Sequence, residues 1–273
     1  MINALYSAET GPQDKGLNDN KINIKIENIF SDSFRIYGWA NSNKNIDLQM
    51  INRTPWPNAS EIEYEITGQF MDKNYDYSNP LLMKKFVFGN TQKLTIADKD
   101  RKIEFEKIHG FNSMDIKFNS IFDSQELSVI KVISNYFAHL KIASNSFKNI
   151  KADKKSETPS DGSLRFTTLG NLIYVEGENT ALRIEKRNFS FEDNEYLISS
   201  SLFGEHYTLG DFTIRTNKRF LGTNGFEVWI KEGLKFELRY NTFGNRKTAE
   251  IRGLLSAHQM FIIFSLFQYL NYF

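Results

Sequence analysis

Four histidines, His109, His139, His206 and His258, are the residues best suited to hold a metal or move a proton at neutral pH, and their spacing supports neither role. No two stand at a metal-ligand separation, and none sits beside a carboxylate in a zinc-binding pattern. Cysteine is absent, which removes thiolate nucleophiles, disulfides and cysteine-ligated zinc or iron–sulfur centres. Gly210, Gly222, Gly225 and Gly233 follow neither dinucleotide nor P-loop spacing, and no Gly-X-Ser-X-Gly elbow occurs. No metal, no cofactor and no covalent nucleophile is expected.

Carboxylates leave one catalytic reading. Glu61, Glu63 and Glu65, and again Glu104 and Glu106, recur at every second position, which places them on one face of a strand. Two such groups across a cleft would suit glycoside hydrolysis, and a hydrolase with Asp/Glu carboxylates between two modules is the alternative from the enzyme class. The same spacing sets them opposite Ile62, Tyr64 and Ile66, so a solvated strand face explains them fully.

Basic residues offer a binding reading. Arg183, Lys186 and Arg187, then Arg215, Lys218 and Arg219, alternate with Tyr207, Phe212, Phe220 and Trp229, a composition that can hold single-stranded nucleic acid on a β-surface. The formal charge is only +1, from 34 basic and 33 acidic residues, so no global field draws the chain onto a polyanion. Glu185, Glu192, Glu195 and Glu227 lie close enough in sequence to neutralise the runs. Trp56, between two prolines, reads equally as a partner contact and as a lid over the core, whereas Trp39 reads as core.

The elements that must position these residues are mostly strands. Residues 1–20 are polar and broken by Gly11-Pro12 and Gly16, an extended arm. From Lys21 apolar and polar residues alternate with period two, beginning with Ile22, Ile24 and Ile26. A helix follows over 125–140, with Asp123 or Ser124 as N-cap, Glu126 in the first turn and a stripe of Leu127, Ile130, Ile133 and Tyr136. Ser128, Lys131 and Asn135 are expected to keep its other side polar. Residues 144–163 read as a linker. Strands resume at Leu164, Asn224-Gly225 marks a hairpin, and 254–273 form a helix without Asp, Glu, Lys or Arg.

The expected fold is mainly β (α+β): two antiparallel β-sandwich or barrel-like modules, 21–143 and 164–273, each ending in a helix packed on its own sheet. Residues 101–140 lie over 234–273 without a gap, strand, turn, strand, helix in each. Where the first helix carries Ser128, Lys131 and Ser134, the second carries Phe261, Phe264 and Phe267. That extra apolar face needs a cover: the other module, a second subunit or partner, or a membrane, although Met260 to Phe273 is too short to span one. The resulting expectation is a non-enzymatic binding or assembly module that contacts a protein partner, or itself, through Phe261, Phe264, Phe267 and Trp56. Without cysteine or a signal-peptide pattern, a cytoplasmic location is expected.

Overall fold

Period-two alternation governs most of the described residues, which include seventeen strands and two long helices. The computed structural model describes residues 17, 20–30, 33–41, 44–54, 60–108, 113–138, 162–177, 180–188, 193–200, 212–217, 224–230, 233–243 and 246–270. In order these are β1 (Lys21–Phe30), β2 (Ser33–Ala40), β3 (Lys44–Asn52), β4 (Glu61–Phe70), β5 (Lys73–Tyr75), β6 (Leu81–Phe88), β7 (Thr91–Ala97), β8 (Lys102–Ile108), β9 (Ser113–Phe118) and α1 (Ser124–Ala138). The second half holds β10 (Gly162–Leu169), β11 (Leu172–Gly177), β12 (Thr180–Asn188), β13 (Asp193–Ser200), β14 (Phe212–Asn217), β15 (Asn224–Ile230), β16 (Gly233–Phe243), β17 (Arg246–Gly253) and α2 (Ala257–Tyr269).

Among the described residues every pairing is antiparallel, and the ring of long strands has no free lateral edge. β9 pairs with β10, joining the two halves, and β1 pairs with both β2 and β17, closing the ring. The short β5 hangs from the end of β4, and the other strands form one closed sixteen-stranded barrel. Two separate sandwich or barrel modules are therefore not what forms. Each half does supply eight barrel strands followed by a helix, but an eight-strand half would leave two unpaired edges, and pairing the halves edge to edge removes all four. The linker expected over 144–163 falls outside the described residues as far as 161, and β10 begins at Gly162.

A ring of this size encloses far more space than inward side chains can fill, and the two helices occupy it. Phe261 meets Phe118 of β9 at 4.9 Å and Phe264 meets Phe105 of β8 at 5.0 Å, while Phe267 meets Phe226 of β15 at 4.8 Å. α2 thus touches widely separated parts of the wall and packs along α1. The second apolar face of α2 is covered by this barrel. The same burial overturns the polar side expected for α1: Ser128, Lys131 and Ser134 are all buried. Both serine hydroxyls are satisfied on the helix's own backbone, Ser128 Oγ donating to the Ser124 carbonyl at 2.7 Å and Ser134 Oγ to the Lys131 carbonyl at 2.9 Å.

Both helices follow a strand that runs to the same end of the barrel, so they enter the lumen there and run parallel. We call this the closed end and the other the open end. Each helix starts with the same device. The Asp123 carboxylate accepts the Glu126 N–H at 2.8 Å while the Glu126 carboxylate accepts the Asp123 N–H at 3.0 Å. Ser256 and Gln259 repeat this reciprocal cap at 3.1 and 3.0 Å. These pairs are equivalent in the gapless overlay of 101–140 on 234–273. Ser256→Ala is expected to cost about 1 kcal/mol, read as a lower denaturation midpoint with an unchanged slope.

The outer wall is charged. Arg35 pairs with Asp47 at 2.9 Å, Lys84 with Glu63 at 2.6 Å, Lys93 with Glu104 at 2.7 Å and Arg165 with Asp115 at 2.7 Å. Apolar inside and charged outside is the reverse of an outer-membrane barrel, whose outer band faces lipid. Among the described residues no helix is long and apolar enough to cross a membrane.

Candidate binding face at the open end of the barrel

The two ends differ in chemistry. At the closed end a carboxylate network locks the root of α1. Arg101 donates to Glu126 at 2.6 Å, to Asp98 at 3.0 Å and to the Tyr75 hydroxyl at 3.1 Å, with its guanidinium carbon 4.1 Å from the Phe122 ring centre. Lys73 adds a second cation to Glu126 at 2.9 Å. Burial pushes the Asp98 and Glu126 carboxyls up, but hydrogen bonds from Arg101 overcome it and hold both below the usual range. Burial pushes the Asp123 carboxyl up, and the neighbouring Glu126 charge adds to this. A carboxylate pair pushed apart in pKa resembles an acid–base couple, but here its oxygens cap the helix and pair with Arg101.

The glutamates considered for hydrolysis do not converge. Glu63 and Glu65 stand on the outer wall against Lys84 at 2.6 Å and Arg53 at 3.1 Å. Glu104 sits between Lys93 and Lys102, at 2.7 and 3.0 Å. Glu61 is exposed and Glu106 half-buried, also on outward positions of β4 and β8. His258 is half-buried near the start of α2, and the other histidines lie outside the described residues. Among the described residues no cluster of three or more His, Asp or Glu is placed to hold a metal.

At the open end the inward positions change character. Ile103 and Phe105 lead to Lys107, Leu81 and Met83 to Lys85, Leu182 and Ile184 to Lys186, while Ala249 and Ile251 follow Lys247. Among the described strand residues in this half of the wall, these four lysines are the charged side chains with inward parity. Lys107 Nζ donates to the Tyr269 carbonyl at 2.6 Å and lies 5.3 Å from that ring's centre. Lys247 Nζ lies 4.1 Å over Tyr136. Each thus meets the last turn of one helix, where the carbonyl dipoles of two parallel helices favour cations. Burial pulls the Lys85, Lys107 and Lys247 amines below their ordinary value.

Deeper in the lumen, Lys131 is 1% exposed. Its amine donates to Asn135 and faces the Phe267 and Phe264 rings at 4.9 and 5.8 Å. Burial holds its pKa well below the ordinary lysine value. Because the unfolded chain binds this proton more tightly, the group's contribution to stability grows as pH rises from the folded value toward about 10.5. Lys131→Met is expected to raise stability by about 1–3 kcal/mol at pH 7. The gain over wild type should shrink between pH 7 and 10 in urea titrations; a constant gain would show that the buried charge is not its source.

Large apolar side chains crown the same end on the outer face. Leu169 is 69% exposed, and Ile29, Phe88 and Ile108 are each above 40%. Phe86 stacks on Phe88 at 6.3 Å. Phe88, Ile108 and Leu169 stand on β6, β8 and β10, alternate strands of the ring, so they form an arc beside Lys85 and Lys107.

The helix phenylalanines expected from sequence to meet a partner lie elsewhere. Phe261, Phe264 and Phe267 are at most 2% exposed, inside the lumen. Trp56 lies outside the described residues, in the connection from β3 to β4. Trp39, expected in the core, is 40% exposed because Gly38, not Trp39, has inward parity on β2. Arg183 and Arg187 point outward, 4.0 and 3.2 Å from Glu185, and Arg215 is 3.6 Å from Glu195. Lys186 turns inward from the same strand, so the barrel wall divides this basic run; Lys218 and Arg219 lie outside the described residues. The signal for the inward lysines was present in sequence, as a lysine extending an apolar period-two series.

No family model matches the chain, and no solved structure does. Among curated proteins it is similar to a putative BTB/POZ domain-containing protein of Acanthamoeba polyphaga mimivirus, with 28% identity over 175 residues. The match takes in 55% of this chain and 33% of that protein, so it spans about a third of the relative's length.

Proposed function

We propose that the chain is a non-enzymatic binding or assembly module that engages a protein partner through the open end of its barrel. The observation carrying this reading is the convergence there of exposed Phe88, Ile108 and Leu169 with the half-buried, inward-facing Lys85 and Lys107. Apolar anchors beside charged groups are the composition of a protein contact. Among the described residues the lumen is occupied by the chain's own helices and the closed ring offers no strand edge, which leaves the rim as the surface best suited to recognition. The similarity to the mimiviral protein named as a putative BTB/POZ domain-containing protein is compatible with a binding module.

A photo-reactive phenylalanine analogue placed at Leu169 or, at the opposite end, at Leu254 tests this in cells that make the protein. Leu254 is 50% exposed and serves as the control. Cross-linking to a partner or a second copy is expected from position 169 and not from 254. Equal cross-linking from both ends would refute the assignment.

A further inference from the structure

We infer that the half of the barrel from β1 to α1 and the half from β10 to α2 are complementary assembly units that two copies of this chain exchange. Each barrel is then built from the first half of one copy and the second half of the other. The partner is a second copy of the chain and the surface is the pair of seams between the halves, so the inference is independent of the open-end reading. Each half is continuous both in sequence and in the wall, and one connection, residues 139–161, joins them. Among the described residues everything else that holds them together is non-covalent. β9 meets β10 over six paired positions, and β17 meets β1 over seven.

The helices fasten the halves crosswise. From the second half, Phe261 and Phe264 rest on Phe118 and Phe105 of the first half's wall. Lys107 of the first half donates to the Tyr269 carbonyl of the second at 2.6 Å, and Lys247 of the second lies 4.1 Å over Tyr136 of the first. A half alone leaves two strand edges bare and these groups uncovered. The complement is also specific. Two first halves would set Ser128 and Lys131, which overlay Phe261 and Phe264, against Phe118 and Phe105. A second half from either copy sets phenylalanine there. The tether of 139–161 reaches at most about 80 Å, enough for α1 and β10 to lie in neighbouring barrels. It also holds a chain's own halves at an effective concentration on the order of 1 mM, so exchange competes as chain concentration approaches that value.

The test uses the whole chain, which has no cysteine of its own. Asp115 of β9 and Arg165 of β10 face each other across one seam, 2.7 Å apart on the outer wall, so replacing either costs little. Their Cα atoms, about 4.5–5.5 Å apart as in any antiparallel pair, are within disulfide range. Asp115→Cys and Arg165→Cys, in two full chains of different mass, are unfolded in urea, mixed, refolded together and oxidised. A disulfide joining the two chains at the introduced thiols is expected in about one chain in a hundred at about 10 µM, and about ten-fold more often at about 100 µM. Chains folded before mixing should give none; an equal yield from them would overturn the exchange. Both substitutions in one chain, refolded dilute, calibrate the oxidation by closing the disulfide internally. Wild type refolded at about 100 µM should contain a dimer by light scattering that persists on dilution, because its release requires unfolding. Monomer alone at every concentration would overturn the inference whatever the thiols do. A dimer without the cross-chain disulfide would place self-association outside the seams and overturn it too.

Discussion

Arg101→Leu should cost about 3–5 kcal/mol at neutral pH, the largest loss expected from a single charged residue. Arg101 is the shared donor to Asp98, Glu126 and Tyr75, and Glu126 is 2% exposed at the root of α1. Removing the guanidinium leaves two carboxylates in a poorly hydrated site, with the partly exposed Lys73 and the Asp123 N–H still at Glu126. The pH dependence identifies the mechanism. Both carboxyls have folded pKa values below the ordinary value of about 4, so their stabilising contribution is complete above that value and is lost as pH falls through the folded values. In the variant the same groups lose the partner that keeps them ionised, and protonation relieves them. The gap between wild type and variant should be widest near pH 7 and narrow below about pH 4. A gap independent of pH would mean that the loss is one of packing over Phe122.

Phe264→Ala should cost about 3–5 kcal/mol by chemical denaturation. The ring is 0% exposed, edge-on to Phe105 of the wall at 5.0 Å, and it forms part of the aromatic surround of Lys131 at 5.8 Å. Truncation opens a void where helix meets barrel, and the closed wall cannot collapse onto it as a loose helix pair could. Had the ring served an exposed partner face, truncation would change stability by only a few tenths of a kcal/mol. Phe264→Ala in a double-mutant cycle with Lys131→Met would show whether the ring also supports the buried amine.

Local structure was legible in the sequence because local physics writes it there. Ile22, Ile24 and Ile26 announce β1 by alternation, and Asp123 with Glu126 marks the start of α1. Overlaying 101–140 on 234–273 equates β8, β9 and α1 with β16, β17 and α2, down to the paired caps. Closure was not legible. The contacts that make one barrel, β9 with β10 and Lys21 with Arg252 across β1 and β17, are backbone hydrogen bonds that leave no side-chain period. Without closure, Lys131 reads as a solvent-facing helix residue and Phe264 as a face awaiting a partner; with it, both become lumen contents. The open-end site was hidden for a related reason. Lys85 and Lys107 each continue an apolar series, but only the parallel helices show that both lie at one mouth.

The pairing of the first strand with the last also sets a timetable. Ile22 finds Ile251 about 230 residues along the chain, among the longest separations the molecule uses, and such contacts are slow to form. Until β17 arrives, β1 has hydrogen-bonding groups bare along one side and the apolar inner wall is open. Synthesis therefore passes through a long interval in which a half-built, edge-exposing sheet must avoid other chains. Within it α1 and its apolar flank form a provisional core, and α2, the last helix in sequence, completes the filling of the lumen.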